Sequence, residues 1–407
     1  MMNQCKLPIG KSFKKINTAE RNKMETLKIL IFNWRDIKNP AAGGAEVYIH
    51  EVAKRLVKKG NEIILFSAKF KNAKNQEEIN GVKIVRQGGK GTVYLKARTF
   101  FNEVRNKVDL IIDSINTIPF FTPLYVKEKP KIALIFQLTG QVFYKILPKP
   151  LAYITEHIEP FIYKKFYRDV QSIVLSQSVK DELVNIGLPA SSIKVAEPGI
   201  DPDFYIPGKK TEYPSVLYLN RIVPYKNVDD LIKAFKVVVN AVPNSKLLIV
   251  GCRGTKYEEY LKRLAHKLNL SNSVEFYPFA TGEKKRDFLQ KAWVHVLPSN
   301  KEGWGISVTE AAACGTPTVA YDVIGLRDSV KHNITGFLVP YKDVNALAEK
   351  IIELLSNEEL RREMSMKARE EALKYTWSRT ATLISNAIEK AINNFKIEVL
   401  SYHLHQK

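Results

Sequence analysis

Two runs of alternating buried strands and amphipathic helices, separated by a proline-rich break, limit this chain to an α/β architecture with mainly parallel sheets. In the first run, apolar segments at Leu27–Phe32, Ile63–Phe66, Val82–Val85, Leu110–Ile112, Ile132–Phe136, Ile173–Leu175 and Ile193–Ala196 read as strands. Between the first two, Val47, Ile49, Val52, Ala53, Leu56 and Val57 recur at helical spacing, and Gly60 stops the helix. Pro202, Pro207, Gly208 and Pro214 then mark a boundary near 205–212. The second run starts at Val216–Leu219 and continues through Lys246–Val250, Val274–Tyr277 and Val294–Leu297. Helices over Asp343–Leu355, Glu358–Leu373 and Ser378–Asn393 follow. The pattern predicts two Rossmann-like, doubly wound domains, 27–205 and 206–377, facing across a cleft. Residues 378–407 are expected to cross back to the first domain as a helix and end in a tail. Residues 1–26 are expected to be a flexible polar tail, with Met24 as an alternative start. In such sheets ligands bind beyond the carboxyl ends of the strands, so the cleft is the expected site.

Composition matters here mainly through charge. The chain carries a net charge of +21, and residues 1–200 hold 33 Lys/Arg against 18 Asp/Glu. An anionic membrane surface, a nucleic acid or a phosphorylated substrate would each fit that excess. No apolar stretch approaches the roughly 20 residues needed to span a bilayer, and no secretory leader is expected. Cys5, Cys252 and Cys314 are too widely spaced to mark a zinc site or a disulfide framework, which points to a reducing cytoplasm. The seven histidines show no metal-ligand spacing.

The chemistry is concentrated between Pro298 and Pro317, P-S-N-K-E-G-W-G-I-S-V-T-E-A-A-A-C-G-T-P. The segment runs from a strand through a glycine loop into a short helix from Ile306 to Cys314, stopped by Gly315. Unpaired N–H groups and the positive dipole end at such a helix start favour an anion. Glu302 and Glu310 flank that start. Plain roles are open to both: Ser307 and Glu310 fit a capping box, and Glu302 fits a solvated loop carboxylate. Arg221 and Lys226 lie in N-R-I-V-P-Y-K-N, just after the first strand of the second run. Cations meet phosphate oxygens well there, although loop cations are mostly just solvated. Gly43-Gly44-Ala45-Glu46 opens the first helix with a glycine turn.

The paired glutamates enclosing G-W-G-I-S-V-T, followed by A-A-A-C-G-T-P-T-V-A, resemble the signature of family 4 glycosyltransferases, retaining enzymes of the GT-B fold. The resemblance covers about residues 27–393 and is strongest over 215–340. It implies transfer of a hexose from a nucleoside diphosphate sugar, UDP- or GDP-linked, to an acceptor hydroxyl on a glycan or a lipid-linked carrier. The donor is a co-substrate; no cofactor and no metal are expected, since Arg, Lys and backbone N–H groups take the place of a cation. By resemblance Glu302, Arg221 and Lys226 form the catalytic group. Arg221 and Lys226 hold the diphosphate, with the N–H groups around Gly303, Trp304 and Gly305. Glu302 grips sugar hydroxyls and Glu310 grips the ribose. Gly43 and Gly44 resemble the family's N-terminal loop near donor phosphate and acceptor. Phe279, in Y-P-F-A, either flanks the base or belongs to the core. Glu197-Pro-Gly-Ile-Asp201 resembles the family's turn between domains and reads as structural.

The chain departs from the family in three places. Asn220 stands where Gly is usual. Gln137 follows the strand after which many relatives carry a His; either it offers a substitute hydrogen bond or that contact is absent. Gly251-Cys252-Arg253-Gly254 replaces the usual G-x-G, with Arg253 either an added phosphate contact or a solvated side chain. A peripheral place on the cytoplasmic face of a membrane is the further expectation. Eight Lys/Arg against three Glu, interleaved with aromatic residues, run from Lys127 to Arg168. The opposing reading makes Phe161, Phe166 and their neighbours the core face of a helix over Leu151–Asp169. Other functions compatible with the sequence are a basic nucleic-acid-binding protein or a GT-B phosphorylase or epimerase. No recognition helix, RNA-binding signature or zinc module supports the first, so no nucleic-acid partner is expected.

Overall fold

A computed structural model describes residues 26–404. The expected tail, apart from Thr26, and the candidate start at Met24 lie outside the described residues. The first domain contains β1 (Lys28–Phe32), β2 (Glu62–Ser67), β3 (Gln76–Ile79), β4 (Val82–Arg86), β5 (Leu110–Ile115), β6 (Lys131–Ile135), β7 (Gln171–Val174) and β8 (Ile193–Val195). They form one sheet in the order β3-β4-β2-β1-β5-β6-β7-β8. All pairs are parallel except β3 with β4. The second domain contains β9 (Ser215–Leu219), β10 (Lys246–Cys252), β11 (Val274–Pro278), β12 (Val294–Leu297), β13 (Thr318–Tyr321) and β14 (Gly336–Val339). Its sheet is parallel throughout, in the order β11-β10-β9-β12-β13-β14. The α/β, GT-B arrangement of two Rossmann-like domains is thus borne out.

Why these segments form strands follows from burial. β9 is Ser-Val-Leu-Tyr-Leu with every residue buried, because helices cover both faces of a parallel sheet. One face packs against the helix Val228–Ala241, through Leu231, Phe235 and Val238. The helix Trp377–Leu404 leaves the second domain and packs on the first. Its Ile384, Ala387, Ile388 and Ala391 share a core with Ile49, Val52 and Leu56 of the helix Gly44–Lys58. The rings of Trp377 and Tyr48 meet edge to face, with centroids 5.8 Å apart. The chain crosses between domains around Ile200, which bridges to Thr376, and Tyr205 already packs on the second domain.

Both sheets reverse their winding at one place. In the second, β9 and β10 lead outward to β11, and the chain then returns to lay β12 on the other side of β9. In the first, β1 is flanked by β2 and β5 in the same manner. Loops leaving the carboxyl ends at these switch points diverge and leave a crevice. The loops 33–43 and 220–227 start there, facing each other.

Candidate active site

The side-by-side ends of β9 and β12 make neighbours of the loops that carry Lys226 and Glu302. Pro224–Lys226 form a single tight turn, and Asn227 follows with φ of 48°, a left-handed value that Asn tolerates better than most residues. The Asn227 side-chain amide donates to the Pro298 carbonyl at 2.9 Å, which cross-links the two loops. Lys342 Nζ donates to Asn227 Oδ1 at 3.0 Å from the other side. Held in this way, the Lys226 ammonium donates to Glu302 Oε1 in an ion pair, and Ser299 Oγ donates to the same oxygen at 2.7 Å. The Lys226 and Glu302 side chains are only 4% and 13% exposed, so Glu302 is not a solvated loop carboxylate.

Arg221 sits one loop turn away. Asn220 is accommodated without a positive φ, and its Oδ1 accepts the Arg221 N–H at 2.8 Å, so the departure from Gly adds a hydrogen bond. Arg221 Nη2 donates to Tyr225 Oη at 3.2 Å. Across the cleft the glycine loop lies on this guanidinium: a Cβ on Gly43 would stand 3.4 Å from Arg221 Nε, and one on Gly44 would stand 3.3 Å from Ile306 Cδ1. The Gly43 N–H donates to Glu46 Oε2 at 2.7 Å, and Glu46 is buried. Burial opposes the Arg221 charge, but Tyr225, Glu46 and Glu302 outweigh it and hold its pKa above the usual value. Arg35, on the facing loop after β1, is lowered by burial, and the field of Arg221 adds to that despite help from Glu46. Arg253 is lowered by burial and by Arg221 as well. Three guanidiniums therefore crowd one region, with Glu46 as counter-charge to Arg35 and Arg221 and Glu258 to Arg253, an arrangement that a polyanion relieves.

Arg253 has a structural occupation. Its Nη1 donates to the Pro40 carbonyl at 2.8 Å, and its Cζ lies 4.0 Å from the centroid of the Phe279 ring. It reaches the first domain's loop while its side chain stays exposed. Phe279 is 37% exposed beneath it and is not a core residue.

The start of the helix Ile306–Ala313 is set by glycines. Gly305 has φ of 90°, and a Cβ there would meet Leu326 Cδ2 at 2.8 Å. A Cβ on Gly303 would stand 2.4 Å from the Phe136 carbonyl oxygen of the first domain. Beside that contact, Gln137 is half-buried with its amide uncommitted within the described chain. Glu310 does not cap its helix, because Gly305 occupies the N-cap and places Glu310 in the second turn. Its carboxylate instead accepts from Lys285 Nζ at 2.6 Å and from Tyr205 Oη at 2.9 Å. Burial, with Glu310 beside it, pushes the Tyr205 hydroxyl far above its usual pKa, so it stays a donor.

Trp304 has its side chain packed away from the cleft, so the expected donor contact at this position rests on its backbone N–H alone. It is 3% exposed, its indole N–H donates to Thr309 Oγ1 at 2.7 Å, and its ring packs 5.0 Å from that of Tyr375. Its side chain sits in the core shared with Phe136 and Leu175 of the first domain. An aromatic residue between two glycines was the largest apolar group in its loop, and burial claimed it.

Sequence reasoning passed over Arg35, Asn227, Tyr205 and Lys285. Arg35 stands three residues after β1, much as Arg221 stands two after β9, so the switch-point argument applied to both domains would have found it. Asn227 stood inside the quoted motif. Nothing local marked Tyr205 or Lys285, which reach Glu310 from separate segments.

Comparison with known proteins agrees with this geometry. Residues 200–371 match the model described as glycosyl transferases group 1, and residues 42–204 match glycosyltransferase family 4. An uncharacterised glycosyltransferase of Methanocaldococcus jannaschii is 24% identical over 396 residues, covering 91% of this chain and 98% of the relative. A D-inositol 3-phosphate glycosyltransferase of Mycobacteroides abscessus is 32% identical over 238 residues, 55% of this chain but only 52% of that protein. Among solved structures, sucrose-phosphate synthase of Thermosynechococcus elongatus superposes with a TM-score of 0.78 at 20% identity, covering 90% of this chain and all of that one. HepE of Anabaena in complex with UDP-glucose has a TM-score of 0.68 at 18% identity, covering 89% of this chain and all of that one. With consecutive family models matching both domains and the fold shared along the chain, this protein belongs to the family 4 glycosyltransferases of GT-B fold.

Proposed function

We propose that this glycosyltransferase moves a hexosyl group from a UDP- or GDP-sugar to an acceptor hydroxyl, with retention at the anomeric carbon and without a metal ion. The observation that carries the reading is the Lys226–Glu302 ion pair beside Arg221 at the start of the helix Ile306–Ala313. An incoming diphosphate takes Lys226 from Glu302 and meets Arg221 and the helix N–H groups. Glu302, released, accepts from sugar hydroxyls. Glu310, flanked by Tyr205 and Lys285, receives the ribose, and Phe279 offers a face to the base. As the C1–O bond to diphosphate breaks, charge grows against cations already in place, each contributing a few kcal/mol. The acceptor oxygen bonds C1 from the same face, and its proton passes to the departing phosphate oxygen.

The UDP-glucose complex of HepE supports a nucleotide-sugar donor. The cluster of basic side chains supports a reaction that needs no cation. The acceptor is a growing glycan or a lipid-linked carrier received by the first domain. The compartment proposed is the cytoplasm, where free thiols such as Cys252 and Cys314 persist. A thermal-shift and hydrolysis screen of UDP-, GDP- and ADP-sugars in EDTA tests the reading. Stabilisation and slow hydrolysis with one donor are expected; no response to any, or a response only with added metal, overturns it.

A further inference from the structure

We infer that the outward face of the helix Lys149–Ile162 docks on an anionic bilayer surface, so that the first domain works lying on a membrane leaflet. The helix buries Ala152 and Glu159, and the π-helical turn Tyr163–Tyr167 that continues it buries Tyr163 and Tyr167. On the other side Leu151, Ile154, Ile158 and Phe161 are 46%, 51%, 46% and 57% exposed. Their spacing puts them in one stripe, about 15 Å long at the helical rise. An apolar stripe at that spacing is ordinarily a core face. Here the core face lies on another side: the opposing reading fails for exposed Phe161 and holds for Phe166, which packs on the core with Tyr163 and Tyr167.

Cations bracket the stripe. Lys145 and Lys149 stand at its start and Lys164 and Lys165 at its end, all exposed. Lys165 Nζ lies 5.3 Å from the Phe161 ring centroid. Tyr144 and Tyr153, 40% and 58% exposed, add rings with polar tips, the type of side chain that favours the headgroup level. A second copy is a poor occupant, because pairing two such faces sets lysines against lysines. The carboxylate of Glu159 on this helix is buried and already accepts two backbone N–H groups. An anionic leaflet satisfies the apolar stripe and its lysines together.

The same helix touches the cleft. Glu159 accepts the N–H groups of Thr139 and Gly140, both at 2.8 Å, and so fixes the loop that starts at Gln137. A Cβ on Gly140 would stand 3.8 Å from Lys301 Nζ, in the loop of Glu302. Docking through the outer face therefore brings this side of the cleft to the leaflet, where a lipid-linked acceptor enters. That last step rests on the glycosyl-transfer reading; the docking itself does not.

Flotation with phosphatidylcholine vesicles, alone or mixed with phosphatidylglycerol, tests the docking. The full chain should float with the mixed vesicles, fade with added salt, and stay behind with the neutral ones. Partitioning should fall at least about tenfold in I154S/I158S/F161S and in K145Q/K149Q/K164Q/K165Q, with circular dichroism unchanged. Absence of flotation, equal flotation with both vesicles, or variants that partition like the parent would overturn the docking. So would a concentration-dependent dimer abolished by I154S/I158S/F161S in a chain that binds no vesicle. UDP and GDP binding measured without vesicles separates the two readings. Nucleotide binding without flotation overturns the docking alone, and flotation without nucleotide binding overturns the transfer reading alone.

Discussion

Gly303 and Phe136 meet across the domain boundary so closely that no side chain fits: a Cβ on Gly303 would lie 2.4 Å from the Phe136 carbonyl oxygen. The loop of Glu302 is thereby seated on the end of β6. Since backbone rather than a flexible side chain stands in the way, Gly303→Ala must separate the domains locally. We expect donor turnover to fall about fivefold or more, the effect of roughly 1–3 kcal/mol of overpacking. Each domain should keep its own core. Wild-type turnover in a folded Gly303→Ala variant would contradict a closed active arrangement.

Glu310→Gln keeps the shape of the side chain and removes its charge from Lys285 and Tyr205. Activity should drop by about an order of magnitude or more, the scale of losing a positioned polar contact to the reacting substrate. Because Gly305 is the N-cap, no cap is lost; the half-buried Lys285 does lose its counter-charge, so the melting temperature should fall moderately while the variant still folds. Near-wild-type turnover would remove Glu310 from the donor site.

The loop 33–43 is pinned from beneath by a buried pair. Arg86, with no exposed surface, donates through Nε and Nη2 to Asp36 at 2.6 and 2.8 Å and also pairs with Glu77. The Asp36 hydrogen bonds raise the Arg86 pKa further. Asp36→Ala leaves that guanidinium short of a partner and should cost about 3–5 kcal/mol in urea melts. A cost below about 1 kcal/mol would mean that Glu77 alone suffices.

His295 is buried on β12, and burial with Lys285 nearby lowers its pKa from the usual 6.5 to about 3. The folded protein keeps this ring neutral while the unfolded chain protonates it below about pH 6.5. Stability is therefore intact above that pH and is lost as the pH falls toward 3, by up to about 1.4 kcal/mol per pH unit. His295→Leu should flatten the acid limb of a stability–pH curve; an unchanged slope would assign that limb to other groups.

Legibility in the sequence followed burial. β1 and β9 are continuous apolar runs, and a parallel sheet leaves such runs nowhere else to go. β3 was missed because Gln-Glu-Glu-Ile lies at an edge with half-exposed residues. The Asn80-Gly81 turn, with φ of 54° and 79°, was its one local signal. The last helix runs to Leu404, past the expected Asn393, where exposed Ile397 and Leu400 gave no stop signal. At the site, residues at strand ends were legible because topology fixes where those ends go. Trp304 was not, since only the shared core shows where its ring is packed, and Tyr205 and Lys285 reach Glu310 through contacts with no sequence spacing.

In the proposed reaction Lys226, released from Glu302, and Arg221 hold a nucleoside diphosphate without a metal. Calorimetric titration of UDP and of GDP in EDTA, into the wild type, Arg221→Ala and Lys226→Ala, tests it most directly. Binding of at least one nucleotide to the wild type is expected, with a loss of about tenfold or more in each variant, as for a charge-assisted hydrogen bond. Absence of binding to the wild type in EDTA, or affinities unchanged in both variants, would contradict it.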